Sequence, residues 1–255
     1  MKLNRLIFTC LTLVILSCKT ETKDIALNTE DIQKELQIHP ISHATMVLEY
    51  GETNIFVDPT GELKAFSTYG APDIVLITDI HGDHYNINTL SGLDLSNATV
   101  VAPKAVAEKY PDNLNIGTRV ILNNGDSIEI MGHRIEAIPM YNLREEALKF
   151  HTKGRGNGYV LTINNERIYI SGDTEDIPEM RALKDIDKAF VCMNLPWTMT
   201  VESAADAVLE FKPKEIIPYH YRGRGGMSDT QKFRSLINSG NPDIKVIQLN
   251  WYPEK

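Results

Sequence analysis

The spacing of apolar residues divides the chain into short runs separated by turn signals. Thr45–Tyr50 and Thr53–Val57 flank Gly51-Glu52 and predict a β-hairpin. Ser127–Met131 and Arg134–Ile138 flank Gly132 as a second, and Gly158–Ile163 and Arg167–Ser171 flank Asn164-Asn165 as a third. The run Asp73-Ile74-Val75-Leu76-Ile77 lacks polar alternation, as expected of a strand buried on both faces. Helical spacing comes late. Thr200 is placed to cap a helix with an apolar stripe of Val201, Ala204, Ala205, Val208 and Leu209, ending before Pro213; Asp229 is placed to cap a second carrying Phe233, Leu236 and Ile237. Each precedes a short apolar strand, Glu215–Ile217 and Lys245–Leu249. Hairpins followed by strand–helix–strand units predict an α/β (α+β) fold, with two mixed sheets packed face to face and helices outside.

The first eighteen residues have a different pattern. Lys2 and Arg5 precede an apolar stretch, Leu6–Leu16, that is too short to span a bilayer, and Leu16-Ser17-Cys18 closes it. This is the layout of an export signal, and its ending resembles the bacterial lipobox, which implies lipidation of Cys18. The alternative is an unmodified secretory signal with an incidental cysteine. Residues 19–36 are polar and charged and predict a tether. No Pro/Gly/Ser-rich break divides residues 37–255, so they are expected to form one domain. The resulting expectation is a lipid-anchored protein of the bacterial cell envelope.

At 255 residues, 42% hydrophobic and 24% charged, the chain has the composition of a globular protein, which excludes disordered and fibrous classes. A net charge of −8 argues against a nucleic-acid partner, which calls for basic excess. Loss of Lys2 and Arg5 leaves 24 basic against 34 acidic residues, about −10. Of three cysteines, Cys10 leaves with the signal and Cys18 takes the lipid, so Cys192 has no disulfide partner. Its apolar surroundings, Ala189-Phe190-Val191-Cys192-Met193, read as a buried strand thiol.

The chemistry concentrates after the buried strand. Asp79-Ile80-His81-Gly82-Asp83-His84 presents two imidazoles and two carboxylates within six residues, a density of donors that a divalent cation satisfies best. A solvated polar loop is the bland alternative. It weakens because other donors also stand at strand ends: Asp173 after Ile168–Ile170, and His220 after Ile216–Ile217. His151 lies in the loop before Gly154-Arg155-Gly156-Asn157-Gly158.

In these elements the chain resembles the metallo-β-lactamase superfamily, whose pattern is a strand followed by His-x-His-x-Asp-His, a further histidine, an aspartate at a strand end and a final histidine. Ser42-His43-Ala44-Thr45, Val57-Asp58-Pro59, Ser171-Gly172-Asp173-Thr174 and Pro218-Tyr219-His220-Tyr221 extend the resemblance to the branch containing ascorbate-6-phosphate lactonase and N-acyl-phosphatidylethanolamine phospholipase D. The resemblance implies an αββα sandwich holding two divalent ions, zinc or manganese/iron. One ion would be held by Asp79, His81 and His151 and the other by Asp83, His84 and His220, with Asp173 bridging. Asp83 and Asp173 would orient the attacking water or relay its proton, and His43 and Asp58 would steady the ligands from behind. Arg222 and Arg224, just after His220, would meet a phosphate or carboxylate, with Arg155 a weaker candidate, and Trp197 would stand at the pocket mouth. His133 is expected to cap a turn.

Position 79 departs from the family, which usually has histidine there. With Asp79, three carboxylates and a hydroxide neutralise two dications, whereas histidine would leave one positive charge. The expectation is a less electrophilic site that favours manganese or iron over zinc. The implied activity is metal-dependent hydrolysis of an ester, lactone or phosphodiester bond in an anionic small molecule or lipid, with classical β-lactamase activity not expected. Three alternatives stand beside it: a single-ion site, a redox site of the flavodiiron kind, and a catalytically silent binding lipoprotein.

Overall fold

Alternation along the early strands builds two apolar layers at once. Met46 and Leu48 of β2 (Thr45–Tyr50), Ile55 and Val57 of β3 (Thr53–Val57), and Ile74 and Leu76 of β4 (Ile74–Leu76) join one buried cluster. Val47, Phe56 and Val75, the residues between them, join another. These strands, with β1 (Gln37–Ser42), β5 (Thr99–Ala102) and β6 (Thr118–Ile121), form a six-stranded mixed sheet in the order β1-β2-β3-β4-β5-β6. Both clusters lie in the computed structural model, which describes residues 35–253. The export signal, Cys18 and all of the tether except Glu35 and Leu36 lie outside the described residues. Among the described residues, no helix is long and apolar enough to cross a membrane.

The second sheet contains β7 (Ser127–Ile130), β8 (His133–Met140), β9 (Gly156–Ile163), β10 (Glu166–Ile170), β11 (Lys188–Cys192), β12 (Glu215–Tyr219) and β15 (Lys245–Val246), in the order β15-β12-β11-β10-β9-β8-β7. A separate small hairpin pairs β13 (Arg222–Gly223) with β14 (Gly226–Met227). The inner cluster of the first sheet meets Ile135, Tyr159 and Leu161 of the second. Residues of α4 (Val201–Phe211) and α5 (Thr230–Gly240) belong to the same large cluster, while α1 (Ile87–Gly92) and α2 (Lys104–Ala107) cover the other face of the first sheet; α3 (Pro178–Arg181) comes after β10. Each fully buried Leu, Ile, Val or Phe contributes about 1.5–3 kcal/mol. The fold is the expected αββα sandwich.

The first hairpin forms as expected, Tyr50 pairing with Thr53 across Gly51-Glu52. The second turns at Met131-Gly132 (φ 52° and 80°) and the third at Asn164-Asn165 (φ 49° and 65°), the left-handed pair that a two-residue hairpin loop requires. Thr200 and Asp229 cap α4 and α5 by accepting from the Ser203 and Lys232 amides. Two expectations need correction. The strand expected over Lys245–Leu249 ends at Val246, because the chain leaves the ladder to bury Trp251 against Phe190 and Tyr219. His133 caps no turn: it opens β8 with its ring edge-on to Tyr50.

Candidate metal centre

Four loops deliver donors to one end of the sandwich. The loop after β4 carries Asp79, His81, Asp83 and His84; the loop between β8 and β9 carries His151; Asp173 comes after β10 and His220 after β12. A buried strand with a twisted neighbour on each side gives each loop a fixed starting point, so side chains far apart in sequence reach a common locus. Three non-glycine residues there, His43, Asp58 and His220, adopt left-handed backbone at φ 51°, 44° and 45°. Each such conformation costs on the order of 1 kcal/mol or more, and such strain concentrates at functional sites.

The convergence has two parts. Asp79, His81 and His151 offer one donor atom each, all within 4.8 Å of one another, and Asp83, His84 and His220 do the same. Asp173 lies between them: its Oδ2 is 3.3 Å from His84 Nε2 and 3.2 Å from His151 Nε2, and its Oδ1 is 3.3 Å from His220 Nε2. All seven residues singled out as ligands in the sequence therefore come together. The donor set fits divalent metal on a direct count. His84 Nε2, His151 Nε2 and Asp173 Oδ1 are buried and make no hydrogen bond, an arrangement costly for a protein and natural for atoms aimed at an ion.

Behind the donors lies a supporting set. Asp58, fully buried, accepts from the Thr78 amide (2.7 Å) and hydroxyl (2.6 Å), and its Oδ2 lies 2.8 Å from His84 Nδ1. That contact turns Nε2 of His84 toward Asp173, the carboxylate–histidine arrangement by which metal sites fix a ring. His151 is held through Nδ1, 3.1 Å from the Trp197 carbonyl oxygen. The ring of His43 stands edge-on to His220 at 5.4 Å, and burial lowers its pKa to about 4, so it is neutral near pH 7. Both residues expected behind the ligands thus lie there.

The electrostatics favour cations. Burial opposes ionisation of Asp173, but the charges on His220 and His84 outweigh it and hold the carboxyl well below its ordinary range. Asp83, which His220 touches, and Asp79, which His81 touches, are likewise held low against burial. Burial would lower His84, yet Asp173 and Asp58 raise it well above 6.5. Three ionised carboxylates in a low-dielectric recess attract positive charge, whether protons on imidazole or metal.

The recess opens into a cavity of about 270 Å³ lined by His81, Asp83, Phe150, His151, Asp173, Asn194 and Trp197. Trp197 takes its expected place, while Thr198 and Met199 beside it are buried in packing. Arg222 and Arg224 do not line the cavity, which corrects their expected role. The Arg222 guanidinium lies over the Tyr252 ring at 4.1 Å and that of Arg224 over Trp197 at 5.8 Å, where each meets the negative face of an aromatic ring. Arg155 faces no cavity anion either; its guanidinium donates to both oxygens of Asp79, at 3.3 and 3.2 Å. Sequence reasoning missed Phe150 and Asn194, which carry no donor motif. It also missed Glu175, which accepts from the Leu143 and Arg144 amides while Arg144 donates to the Pro196 and Thr198 carbonyls, bracing the segment that holds Trp197. The charged Glu175 two residues past Asp173 was the available signal. Cys192 is the buried strand thiol that was expected, and burial pushes its pKa up to about 12.

Comparison with known proteins agrees with this geometry. Residues 37–220 match a family model described as a β-lactamase superfamily domain. A UPF0173 metal-dependent hydrolase of Pyrococcus horikoshii is 29% identical over 211 residues, covering 77% of this chain and 90% of the relative; another from Staphylococcus carnosus is 26% identical over 214 residues, covering 79% and 92%. Among solved structures, a protein described as a metal-dependent hydrolase from Parabacteroides distasonis superposes with a TM-score of 0.76 at 37% identity, covering 86% of this chain and 94% of its own. A metallo-hydrolase from Ignicoccus hospitalis, at 19% identity and a TM-score of 0.70 over 84% and 94%, shares the fold. The strand order, the two bridged donor groups and these matches together place the chain in the metallo-β-lactamase superfamily, as a metal-dependent hydrolase of that fold.

Proposed function

We propose that the protein hydrolyses the ester or lactone bond of a small uncharged molecule, using two divalent ions held by Asp79, His81 and His151 and by Asp83, His84 and His220. The observation that carries the substrate class is the cavity wall: two aromatic rings, an amide and the donor residues, with no lysine or arginine among them. This leans away from the anionic substrate and the phosphodiester bond expected from sequence, because an anion brought there would be met by the bound ions alone, with no lysine or arginine on the wall beside them. The volume suits a molecule of modest size gripped between Phe150 and Trp197.

Bound ions would supply Lewis acidity and lower the pKa of water toward neutrality. The protein's own groups do the rest. Asp83, whose side chain is 45% exposed, reaches the cavity and is placed to accept a proton from water and pass it to a leaving alkoxide. Asp173, nearly buried, fixes both donor groups in register. Asn194 lines the same cavity, and once His220 Nε2 holds metal the Asn194 Nδ2, now 3.4 Å from that nitrogen, is left to meet the negative oxygen that develops during attack on a carbonyl. The extra carboxylate at position 79, in a set of four imidazoles and three carboxylates, tilts the preference toward manganese or iron. On the cell, Cys18 lipidation would tether the domain to an envelope membrane.

A screen of metal-reconstituted protein against p-nitrophenyl esters, uncharged lactones, a bis-aryl phosphodiester and nitrocefin tests the reading. Chelator-sensitive turnover of the esters or lactones supports it. Preference for the phosphodiester would overturn the substrate class, and metal binding without turnover of any would favour the silent binding protein.

A further inference from the structure

Position 79 and position 155 are coupled in a way neither shows alone. Asp79 is fully buried, and its two oxygens receive Nε and Nη2 of Arg155 at 3.3 and 3.2 Å, a fork that matches the carboxylate. The same guanidinium also donates to the Phe150 carbonyl, and its side chain is 19% exposed. Among the described residues, no other Arg or Lys forms an ion pair with Asp79, Asp83 or Asp173.

The backbone around Arg155 is shaped for this contact. Gly154 has φ +85°, a conformation that side chains disfavour. A Cβ on Gly156 would lie 2.2 Å from Met140 Cε and 2.9 Å from the Thr78 carbonyl oxygen, so only glycine lets the loop press against the end of β4, where Asp79 begins. The next residue, Asn157, donates its amide to that carbonyl at 2.9 Å. His151 and Arg155 thus arrive on one loop, with Asp79 between them: 3.8 Å separates Asp79 Oδ2 from His151 Nε2.

We propose that Arg155 is a positioning residue that compensates the charge of Asp79, so that the Asp79–Arg155 pair stands in for a neutral histidine in the first donor group. The group Asp79, His81, His151 and Arg155 is then neutral overall, as three imidazoles would be. The weaker electrophilicity expected from Asp79 alone is cancelled by the guanidinium behind it. The fork also holds both carboxylate oxygens in plane, which directs Oδ2 toward His81 Nδ1, 2.5 Å away. The proposal rests on the metal-centre reading of these side chains.

Four proteins decide it: the unaltered chain, R155M, D79H and D79H/R155M, with R155K as a conservative control. Each is equilibrated with manganese or zinc in a chelator buffer, metal per chain is counted by mass spectrometry, and urea unfolding is monitored separately on the metal-free proteins. D79H leaves an uncompensated guanidinium beside a neutral ligand group, so the dissociation constant of one ion should rise by about tenfold or more while the other is unchanged. D79H/R155M should return to within about threefold of the unaltered chain. In the metal-free state R155M should unfold at lower urea than the unaltered protein, because Asp79 keeps a buried charge without its cation, and the double variant should recover. R155K, with charge but no fork, should fall between. Strictly additive effects of the two substitutions, or a D79H protein that keeps both ions at unaltered affinity, would overturn the proposal. Failure of the unaltered chain to bind any metal would instead defeat the metal-centre reading, while the urea cycle would still report whether residues 79 and 155 are coupled.

Discussion

The two donor groups face the same recess but are built differently. In the second group, His84 is fully buried and its ring is locked by a side-chain carboxylate, Asp58, which Thr78 holds in turn. In the first group, His81 is 41% exposed and faces Asp79, while His151 is oriented by a backbone carbonyl, that of Trp197. The charge also differs. Among the described residues, Asp83 of the second group pairs only with histidines, whereas Asp79 of the first is forked by Arg155. The two donor groups are therefore supported by two strategies, one orienting its buried histidine through a side-chain carboxylate and the other through a backbone carbonyl, with an ion pair behind its aspartate. The orientation of His84 should be sensitive to a change at Asp58, while that of His151 should survive substitution of Trp197, whose contact comes from the backbone.

The largest expected effect removes the residue both groups share. Asp173→Ala takes away the only carboxylate, among the described residues, within 3.3 Å of donors in both groups, and turnover should fall on the order of 10³-fold or more, with less metal retained per chain. Full activity with two ions retained would show that the groups work independently. A smaller loss is expected from Asp58→Asn, which weakens the partner of His84 alone: about 10–100-fold in affinity for one ion, with the other unaffected. Equal loss from both positions would erase the distinction between the groups. By contrast, Trp197→Phe should leave metal affinity within about twofold, since the contact to His151 comes from the backbone, yet raise KM by reshaping the cavity wall. The smallest effect belongs to Cys192, which serves neither group. A pKa raised to about 12 keeps its thiol protonated at pH 8, so a thiol reagent should label native protein negligibly and unfolded protein readily; rapid native labelling would show that β11 is more open than its packing implies.

Much of the site is legible in the sequence. Asp79, His81, Asp83 and His84 are adjacent in sequence, and Asp173 and His220 end apolar runs, so strand-end position alone marks them. The hairpins are legible for a similar reason: Asn164-Asn165 and Met131-Gly132 are local signals that need no partner elsewhere. The edge strand β6, with little apolar pattern, is not legible, and neither is the early end of β15, which depends on where Trp251 finds its pocket. The arginines show the limit most clearly. Arg155, Arg222 and Arg224 all sit among glycines, and nothing in that context distinguishes a guanidinium bound for a substrate from one bound for Asp79, Tyr252 or Trp197.

The sequence by itself determined the layered sheets, the hairpin turns and the buried setting of Cys192, because hydrophobic period and local turn chemistry act over a few residues, whereas the set of seven donors followed from the family resemblance that the strand-end motifs carry. Only the tertiary structure decided that Arg155 answers the charge of Asp79, that Arg222 and Arg224 lie over Tyr252 and Trp197, and that, among the described residues, no lysine or arginine lines the cavity. Those features depend on side chains distant in sequence meeting at a few ångströms, as Arg155 and Asp79 do across 76 positions, a distance set by how two sheets pack and not by any pattern along the chain.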